Sequence, residues 1–328
     1  MEKRSEADVI EYCPCDYKTS NTPPALTDFA PFTNGGVWGS GWDSHAWFHL
    51  TAYSDDPNRY LFVETELSGW DAANPQFIVY VNGEMRQGVD VNHREVLLGD
   101  VGDADIYLYA YTGPKIEKAK LFVEFRTLDS DIDGLYYDIF YPLYMLDYLD
   151  PDGSDYAHIE HFLYHTVSML SLYEIGSEDY MESVREAREY LKKEFYEKYC
   201  RDQIVKCVCI GHTHIDCAWK WTLRQTREKV QRSFATVLEL MKRYPEYKFM
   251  SSQAFLYKNL KEEAPEVYAQ VAEKIKEGRW ECEGAMWVEA DCNLSSGESL
   301  VRQVMYGKNY FKKEFGVLPS VYRRQNAK

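Results

Sequence analysis

The chain has 328 residues, of which 45% are hydrophobic, and its 53 acidic and 37 basic side chains give a formal net charge of −16. This is the composition of a globular protein with enough apolar residues for about two domains. The acidic charge disfavours binding to nucleic acid or to an anionic membrane, because both present negative phosphates. No apolar run is long enough to cross a bilayer, and the first residues lack the apolar core of a signal peptide. We therefore expect a cytoplasmic protein.

The eight cysteines are expected to be reduced thiols, because a cytoplasmic chain of this size needs no disulfide staples. The pairs Cys13/Cys15 and Cys207/Cys209 each enclose one residue, whereas common zinc knuckles enclose two. In a strand, Cys207 and Cys209 would point to one face and pack as small apolar side chains.

Residues 1–130 are predicted to form an antiparallel β-sandwich. Runs rich in aromatic and β-branched side chains, with no helical pattern between them, recur at 60–66, 76–81, 105–111 and 120–125. The dipeptide Asn82-Gly83 follows the second run and predicts a tight hairpin turn. Histidines and tryptophans nearby are interpreted as core residues of the sandwich rather than as a sugar-binding patch: His45, His49, Trp38, Trp42 and Trp47.

Residues 131–202 are predicted to form a helical connector. Aromatic side chains recur every four residues from Tyr136 to Tyr148, and the acidic, lysine-rich stretch 178–198 is typical of an amphipathic helix. His161 and His165 have the spacing of a zinc-protease helix, but a phenylalanine at position 162 replaces the glutamate base of that motif. We interpret this histidine face as exposed to solvent or to another domain.

Residues 203–328 alternate strand and helix patterns. Short apolar runs predict strands at 204–210, 247–250 and 279–284. Capping boxes that begin at Thr222 and Ser295 predict the starts of two helices, and Pro265 predicts the start of another. Three successive β/α units imply a parallel sheet, either open or barrel-like, whose functional edge lies at the carboxyl ends of its strands.

The sequence GHTHID at 211–216 directly follows the first of these predicted strands. In extended backbone, residues two apart point the same way, so His212, His214 and Asp216 can converge on one point. Imidazole and carboxylate are ordinary ligands of zinc and similar divalent ions. This pattern favours a metal site, although two histidines that only cap the next helix would give the same sequence.

Two classes of hydrolase fit a metal site at this position. Amidohydrolase and phosphoesterase barrels would use the metal to generate hydroxide near neutral pH. A glycosidase would instead use carboxylates as nucleophile and acid, with the metal holding sugar hydroxyls. Trp219, Trp221 and the carboxylates of MWVEAD at 286–291 favour a sugar ligand, because a flat indole can pack on the apolar face of a sugar ring, although such tryptophans also occur in cores.

Several motifs together resemble those of the α-mannosidases of glycoside hydrolase family 38, in particular the cytosolic class with an amino-terminal β-rich domain. The motifs occur in the family's order: GHTHIDCAW at 211–219, GRW at 278–280, MWVE at 286–289, DCN at 291–293 and SGESLVRQ at 296–303. A looser similarity to the ancillary domain of that class involves NG at 82–83, GVD at 88–90 and NHRE at 92–95.

The resemblance implies a seven-stranded β/α barrel that hydrolyses terminal α-mannosides with retention, through a covalent mannosyl-enzyme intermediate. It also implies one divalent metal ion, zinc or cobalt, and an α-mannose-containing oligosaccharide as substrate. By position in the motifs, His214 and Asp216 would be metal ligands and His212 would support them. Trp219 would stack on the mannose ring. The rim of the site would include Trp287, Glu289 and Asp291, without an assigned catalytic role.

The family's nucleophile is an aspartate that follows a further strand, and this chain departs from that pattern. The corresponding position falls near Asn326, and an amide is a far poorer nucleophile than a carboxylate. The family's acid/base residue lies further on. We therefore expect residues 203–328 to be the first part of the barrel and the chain alone to be inactive. The alternatives are a metal-hydroxide hydrolase of amidohydrolase or phosphoesterase type and a non-catalytic carbohydrate-binding fragment; a homo-oligomer is left open.

Overall fold

The computed structural model describes residues 3–7, 9–17, 22–66, 75–201 and 207–320. The chain divides into two compact units. The smaller unit takes residues 1–5, 56–60 and 126–208, and the larger unit takes residues 6–55, 61–125 and 209–328.

Strands predominate in the amino-terminal third of the chain. In chain order they are β1 (Lys3–Glu6), β2 (Ile10–Cys15), β3 (Ala30–Phe32), β4 (Val37–Trp38), β5 (His45–Ser54), β6 (Arg59–Glu64), β7 (Gln76–Val81), β8 (Glu84–Val89), β9 (Glu95–Leu97), β10 (Gly102–Tyr111), β11 (Ala119–Lys120) and β12 (Phe122–Thr127). Six of them form a sheet in the order β3-β2-β5-β10-β7-β8, and four form a sheet in the order β1-β12-β6-β9. The neighbouring strands described in the six-stranded sheet pair antiparallel, which confirms the predicted antiparallel β structure.

An apolar cluster joins one face of the six-stranded sheet to side chains of β6 and β12. Phe48, Val79 and Leu108 lie on adjacent strands in register and are fully buried, as are Leu61 and Val123. The β-branched and aromatic side chains pack well on a pleated surface, which explains why these runs form strands.

The hairpin and core predictions for this region hold with one exception. Asn82 and Gly83 both have positive φ, at 52° and 81°, as the tight turn between β7 and β8 requires. His45, His49, Trp38 and Trp47 are buried, as predicted. The prediction for Trp42 was wrong, because its side chain is 67% exposed. It lies in the turn between β4 and β5, so no strand face carries it inward.

The smaller unit contains helices α1 (Ser130–Leu146), α2 (Ser154–Ser168) and α3 (Glu178–Tyr190), and α3 continues into a π-helical segment, Leu191–Tyr199. Its core includes Leu135, Ile159 and Val184. The aromatic residues of α1 lie mostly exposed and stack on one another, as Phe140 and Tyr144 do with ring planes 3° apart. His161 and His165 are exposed on α2, as predicted.

The carboxyl-terminal part of the larger unit alternates strands and helices. Its elements are β13 (Gly211–His212), α4 (Leu223–Arg243), β14 (Phe249–Ser251), α5 (Ala254–Glu263), α6 (Pro265–Lys276), β15 (Trp280–Cys282) and α7 (Gly297–Phe315). The strands pair in parallel in the order β13-β14-β15, which confirms the predicted parallel sheet. Phe234, Phe249 and Trp280 pack edge to face in the core between this sheet and α4. Thr222 caps α4 through the backbone N–H of Gln225, as predicted.

The prediction of a strand at 204–210 was wrong for the residues of this range that the structure describes. Residues 207–210 have no regular structure, and the strand consists of Gly211 and His212 alone, while 204–206 lie outside the described residues. Cys207 and Cys209 are exposed instead of packed on a strand face. An apolar alternation indicates that a strand can form, but the ladder with β14 begins only at Gly211, so the preceding residues have no partner in it.

Helix α7 begins one residue later than the capping box predicted. The hydroxyl of Ser296, not that of Ser295, accepts the hydrogen bond from the backbone N–H of Ser299, at 3.2 Å. Gly316 ends the helix with φ 70°, the left-handed conformation that favours glycine. Among the helices that the structure describes, none is long and apolar enough to cross a membrane.

Within the larger unit, α4 packs directly on β8. The backbone N–H of Gly88 donates to Thr236 Oγ1 over 3.0 Å. A β-carbon added at Gly88 would lie 2.5 Å from Cβ of Arg232, so only glycine permits this close approach. Helix α4 therefore contacts both the parallel sheet and the amino-terminal sheets, and it brings the loop after β8 towards the carboxyl edge of β13.

Candidate metal and sugar-binding site

The carboxyl ends of the parallel strands bring together three acidic and imidazole side chains. His214 Nε2 lies 3.0 Å from Asp216 Oδ1, and His214 Nδ1 lies 3.6 Å from Glu289 Oε2. His214 and Asp216 are the two predicted metal ligands, and both are partly exposed. Glu289, which follows β15, contributes a carboxylate that is only 4% exposed.

Two residues that follow β14 hold Glu289, one through its carboxylate and one through its backbone N–H. Ser252 Oγ donates to Glu289 Oε1, and the backbone N–H of Glu289 donates to Gln253 Oε1 over 3.2 Å. These hydrogen bonds fix the direction of the carboxylate towards His214. Such bracing of a metal-binding histidine by a carboxylate is common in metal sites.

Gln253 connects all three strand ends of the sheet. Its Nε2 donates to the carbonyl of Ile215 over 2.9 Å, while its Oε1 accepts from Glu289. Its φ of 67° is unusual for a residue other than glycine, and such strain is often found at functional sites. Ser252 and Gln253 were not predicted as site residues, although their position directly after a parallel strand indicates such a role.

Trp219, the predicted sugar-stacking residue, is 52% exposed and lies beside this cluster in sequence. Lys220 Nζ lies 4.5 Å from the centre of its ring, and Trp221 meets it edge to face at 5.9 Å. Half of the indole surface therefore remains available to a ligand, and an indole face suits the C–H side of a sugar ring.

The other residues predicted for the rim of the site contact neighbours outside the cluster around His214. Trp287 packs on Phe255 and Tyr310, and its backbone N–H donates to the carbonyl of Gln303. Asp291 is exposed, and its Oδ1 accepts from the backbone N–H of Asn293 in a turn before α7. The position predicted for the nucleophile, near Asn326, lies outside the described residues.

A cavity of about 380 Å³ opens beside His212 and His214. Its walls come from the loop after β8, from α4 and from the segment after β13. The polar residues that line it include Asp90, His93, His212, His214, Lys229 and Arg232. The sequence analysis did not predict this cavity, because its walls are distant in the chain.

The cavity is lined by both acidic and basic side chains, Asp90 on one hand and Lys229 and Arg232 on the other. Burial alone would raise the pKa of Asp90, but hydrogen bonds from His93 and the Asn92 backbone, together with the charge of Arg232, lower it to about 2. Burial lowers the pKa of Lys229 to about 7, and the nearby positive charge of Arg232 acts in the same direction. Burial also lowers the pKa of Arg232 itself, against the opposing effect of Glu228.

Replacing Lys229 with methionine is expected to stabilise the protein most strongly below pH 7. The unfolded chain keeps the ordinary lysine pKa of 10.5, so between pH 7 and 10 it binds more protons than the folded chain, and this lysine makes stability rise with pH. Methionine removes the burial penalty of the charged amine, so we expect a gain of about 1–3 kcal/mol at pH 6 that shrinks towards pH 10. Urea unfolding across this range measures the gain.

The matched control for this change is Lys242→Met on the same helix, where the side chain is 50% exposed. We expect the control to change stability by less than about 0.5 kcal/mol, with little dependence on pH. A gain for Lys229→Met that is the same at pH 6 and pH 10 would contradict the prediction, because it would have to come from packing alone.

The candidate site lies in a region that is similar to a known family. Residues 204–323 match the model of the glycosyl hydrolases family 38 N-terminal domain. The resemblance to family 38 is confirmed. The matched range contains the candidate site from His212 to Asp291 and ends before Asn326.

The relatives of this chain are α-mannosidases. It is 44% identical over 128 residues to alpha-mannosidase G of Dictyostelium discoideum, a match that covers 39% of this chain and 12% of that protein. It is 38% identical over 151 residues to an alpha-mannosidase of Saccharomyces cerevisiae, which covers 43% and 14%. It is 43% identical over 112 residues to alpha-mannosidase 2C1 of Homo sapiens, which covers 34% and 11%. The matches therefore span 11–14% of the length of these relatives.

The donors at the candidate site fit part of a metal site. His214 Nε2 and Asp216 Oδ1 are close enough to bind one ion together, and the ion would replace the hydrogen bond between them. Among the described residues, no group of three or more His, Cys, Asp or Glu side chains is placed to hold a metal ion. Tetrahedral or higher coordination therefore needs donors beyond this pair.

Proposed function

We propose that this chain is the amino-terminal part of a metal-dependent retaining α-mannosidase that acts on α-mannose-containing oligosaccharides. The observation that carries the proposal is the convergence of His214 and Asp216 at the carboxyl edge of a parallel sheet, inside the region that matches family 38. Active sites of β/α proteins lie at this edge. The relatives that match this region are all named α-mannosidases.

The three parallel strands are proposed to be the first strands of a seven-stranded β/α barrel. In this proposal, residues 1–130 form an ancillary domain, residues 131–202 form a helical connector, and residues 203–328 form the first part of the barrel. Apolar side chains exposed on α7 support this proposal: Val301, Met305 and Tyr306. Apolar patches of this kind mark surfaces that other parts of a protein cover. Further β/α units are the natural cover for this helix.

In this proposal, His214 and Asp216 hold one divalent metal ion, zinc or cobalt. The bound ion would orient and polarise sugar hydroxyls. Glu289 accepts from Ser252 with its carboxylate and donates its backbone N–H to the Gln253 side chain; it keeps the imidazole of His214 in its binding orientation, and His212 supports the pair. Trp219 provides a stacking surface for the sugar ring. Trp287 and Asp291 would lie at the rim.

The retaining reaction needs two carboxylates about 5–5.5 Å apart, one as nucleophile and one as acid/base. The nucleophile position falls near Asn326, and the family's acid/base residue lies beyond the matched region. We therefore propose that residues 1–328 bind metal and sugar but do not hydrolyse mannosides. A cytoplasmic location is proposed from the resemblance to the cytosolic class.

The test is zinc and cobalt binding, measured by equilibrium dialysis, together with turnover of an aryl α-mannoside. We expect weak metal binding that His214→Ala and Asp216→Ala each reduce at least about tenfold, since each removes one of two ligands. His161→Ala removes an exposed histidine of the smaller unit and should leave the affinity unchanged. We expect no measurable mannoside hydrolysis.

Three results would overturn parts of this proposal. If His214→Ala bound metal as tightly as the unsubstituted chain, the proposed metal site would be wrong. Hydrolysis of aryl α-mannosides by residues 1–328, abolished by Asp216→Ala, would show that the chain is catalytically complete. Turnover of phosphoesters or cyclic amides, with mannosides ignored, would favour a metal-hydroxide hydrolase instead.

A further inference from the structure

The cavity beside His212 and His214 has the size of a small-ligand site. Its volume of about 380 Å³ lies within the range of pockets that bind small molecules, and it has room for a single sugar ring. One wall belongs to the loop after β8, in the amino-terminal sheets, and the opposite wall belongs to α4. Neither wall contains a residue that the proposed metal site uses.

We propose that Asp90, Lys229 and Trp221 form a second sugar-binding subsite that takes the neutral sugar residue next to the one at the metal pair. This inference rests on the proposed function, because it assigns the first sugar to His214 and Asp216. It goes beyond that function by assigning the second sugar residue of the oligosaccharide to named side chains, and it gives the loop after β8 of the six-stranded sheet a role in substrate recognition.

Asp90 is held in a fixed orientation at the cavity wall. Its Oδ1 accepts hydrogen bonds from the backbone N–H groups of Asn92 and His93, at 2.8 and 3.0 Å, and contacts His93 Nδ1 at 3.2 Å. The backbone of Asp90 and His93 is joined by two further hydrogen bonds. Because all these side-chain contacts end on Oδ1, Oδ2 can accept from a ligand hydroxyl, and the carboxylate remains 34% exposed.

Helix α4 offers a donor, and the segment just before it offers an apolar surface. Lys229 Nζ lies 4.3 Å from the ring centre of Trp221, and both residues line the cavity. An amine can donate hydrogen bonds to sugar hydroxyls, and a tryptophan ring contacts the apolar C–H groups of the sugar. Trp221 is itself fixed, since its Nε1 donates to Thr226 Oγ1 over 3.1 Å.

The charges of the cavity favour a neutral ligand. Asp90 is negative, whereas Arg232 is positive and fully buried, with Nη2 donating to Gln76 Oε1. A phosphate or carboxylate would be repelled by Asp90, and a cation would be repelled by Arg232 and Lys229. A polyhydroxyl compound can instead donate to Asp90 and accept from Lys229 without carrying charge into the cavity.

The position of the cavity connects it to the first sugar. His212 and His214 both line it, so a sugar held at His214 and Asp216 has its neighbouring residue beside the cavity. A single mannose would use the metal pair and Trp219, whereas a disaccharide would also reach Asp90 and Lys229.

The test is calorimetric titration of the whole chain, in the presence of zinc, with methyl α-mannoside and with each α-linked mannobiose. We expect at least one mannobiose to bind about tenfold tighter than the monosaccharide, as two or three added hydrogen bonds and a ring contact would provide. Asp90→Asn keeps an oxygen for the loop hydrogen bonds but places an amide donor where Oδ2 was. This variant should abolish the tighter binding of mannobiose and leave the affinity for the monosaccharide unchanged.

Lys229→Met is the second variant and should also reduce the affinity difference between mannobiose and the monosaccharide. With two variants, the test does not depend on the folding of one of them. Asp100→Asn, an exposed carboxylate of the same sheets, is the control and should change nothing. Mannobiose that binds no tighter than the monosaccharide would overturn the subsite, while zinc-dependent monosaccharide binding would still support the proposed function. Mannose 6-phosphate that binds tighter than mannobiose would also overturn it. A mannobiose affinity that persists without metal and in His214→Ala would support the subsite and overturn the metal site.

Discussion

Gly307→Ala is expected to lower the free energy of unfolding by about 3 kcal/mol and to weaken metal binding at the same time. Gly307 lies in α7, where the helix contacts the segment between β15 and Glu289. A β-carbon at this position would lie 2.2 Å from the carbonyl oxygen of Ala285 and 2.6 Å from the carbonyl carbon of Met286. These are backbone atoms, so the helix and the segment must move apart. Since Glu289 follows this segment, its carboxylate would move away from His214.

Urea unfolding and zinc dialysis measure the two effects of Gly307→Ala. The matched control is Gly297→Ala in the first turn of the same helix, where an added β-carbon meets nothing within 4 Å. Alanine has the higher helix propensity, so the control should be neutral or stabilising by up to about 1 kcal/mol. If both variants were equally stable, the close packing of α7 on residues 285–286 would be wrong.

Glu228→Ala is expected to lower the free energy of unfolding by about 3–5 kcal/mol, the usual cost of removing one partner from a buried pair. Glu228 is 2% exposed, and its Oε1 lies 2.9 Å from Nε2 of the buried His45. It also opposes the effect of burial on the pKa of Arg232. The change therefore leaves a buried imidazole without its acceptor, and it removes the larger of the two carboxylate charges, those of Glu228 and Asp90, that stabilise the buried guanidinium.

The measurement for Glu228→Ala is chemical unfolding followed by tryptophan fluorescence. Because His45 belongs to β5 and Glu228 to α4, we expect the amino-terminal sheets and the β/α segment to unfold less cooperatively in this variant. Glu262→Ala is the control, since its side chain is 48% exposed and pairs only with Lys258 on the same helix. The control should cost less than about 0.5 kcal/mol. A similar small cost for Glu228→Ala would mean that the pair with His45 contributes little.

The elements predicted well are those whose signals are local. The turn at Asn82-Gly83 and the end of α7 at Gly316 depend on residues that accept positive φ at little cost. The starts of α4 at Thr222 and of α6 at Pro265 depend on capping and on the missing amide hydrogen of proline. In each case the physical cause lies within a few residues of the chain.

The predictions that failed depend on partners elsewhere. The run at 207–210 has a strand pattern but no place in the ladder with β14, and Trp42 is aromatic but lies in a turn. The start of α7 at Ser296 rather than Ser295 is a smaller error, since both residues are serines and either hydroxyl can cap a helix. Neither composition nor periodicity distinguishes these outcomes.

For the candidate site, the sequence by itself predicted that His212, His214 and Asp216 can converge, because residues two apart in extended backbone point the same way, and the family resemblance then selected His214 and Asp216 as the metal pair. Their distance of 3.0 Å agrees with this local rule. Only the tertiary structure decided that Glu289, Ser252 and Gln253 join the pair, since parallel strands bring together residues that are far apart in the chain. The cavity with Asp90 and Lys229 likewise exists only because α4 packs against Gly88, a contact between segments about 140 residues apart that no local pattern specifies.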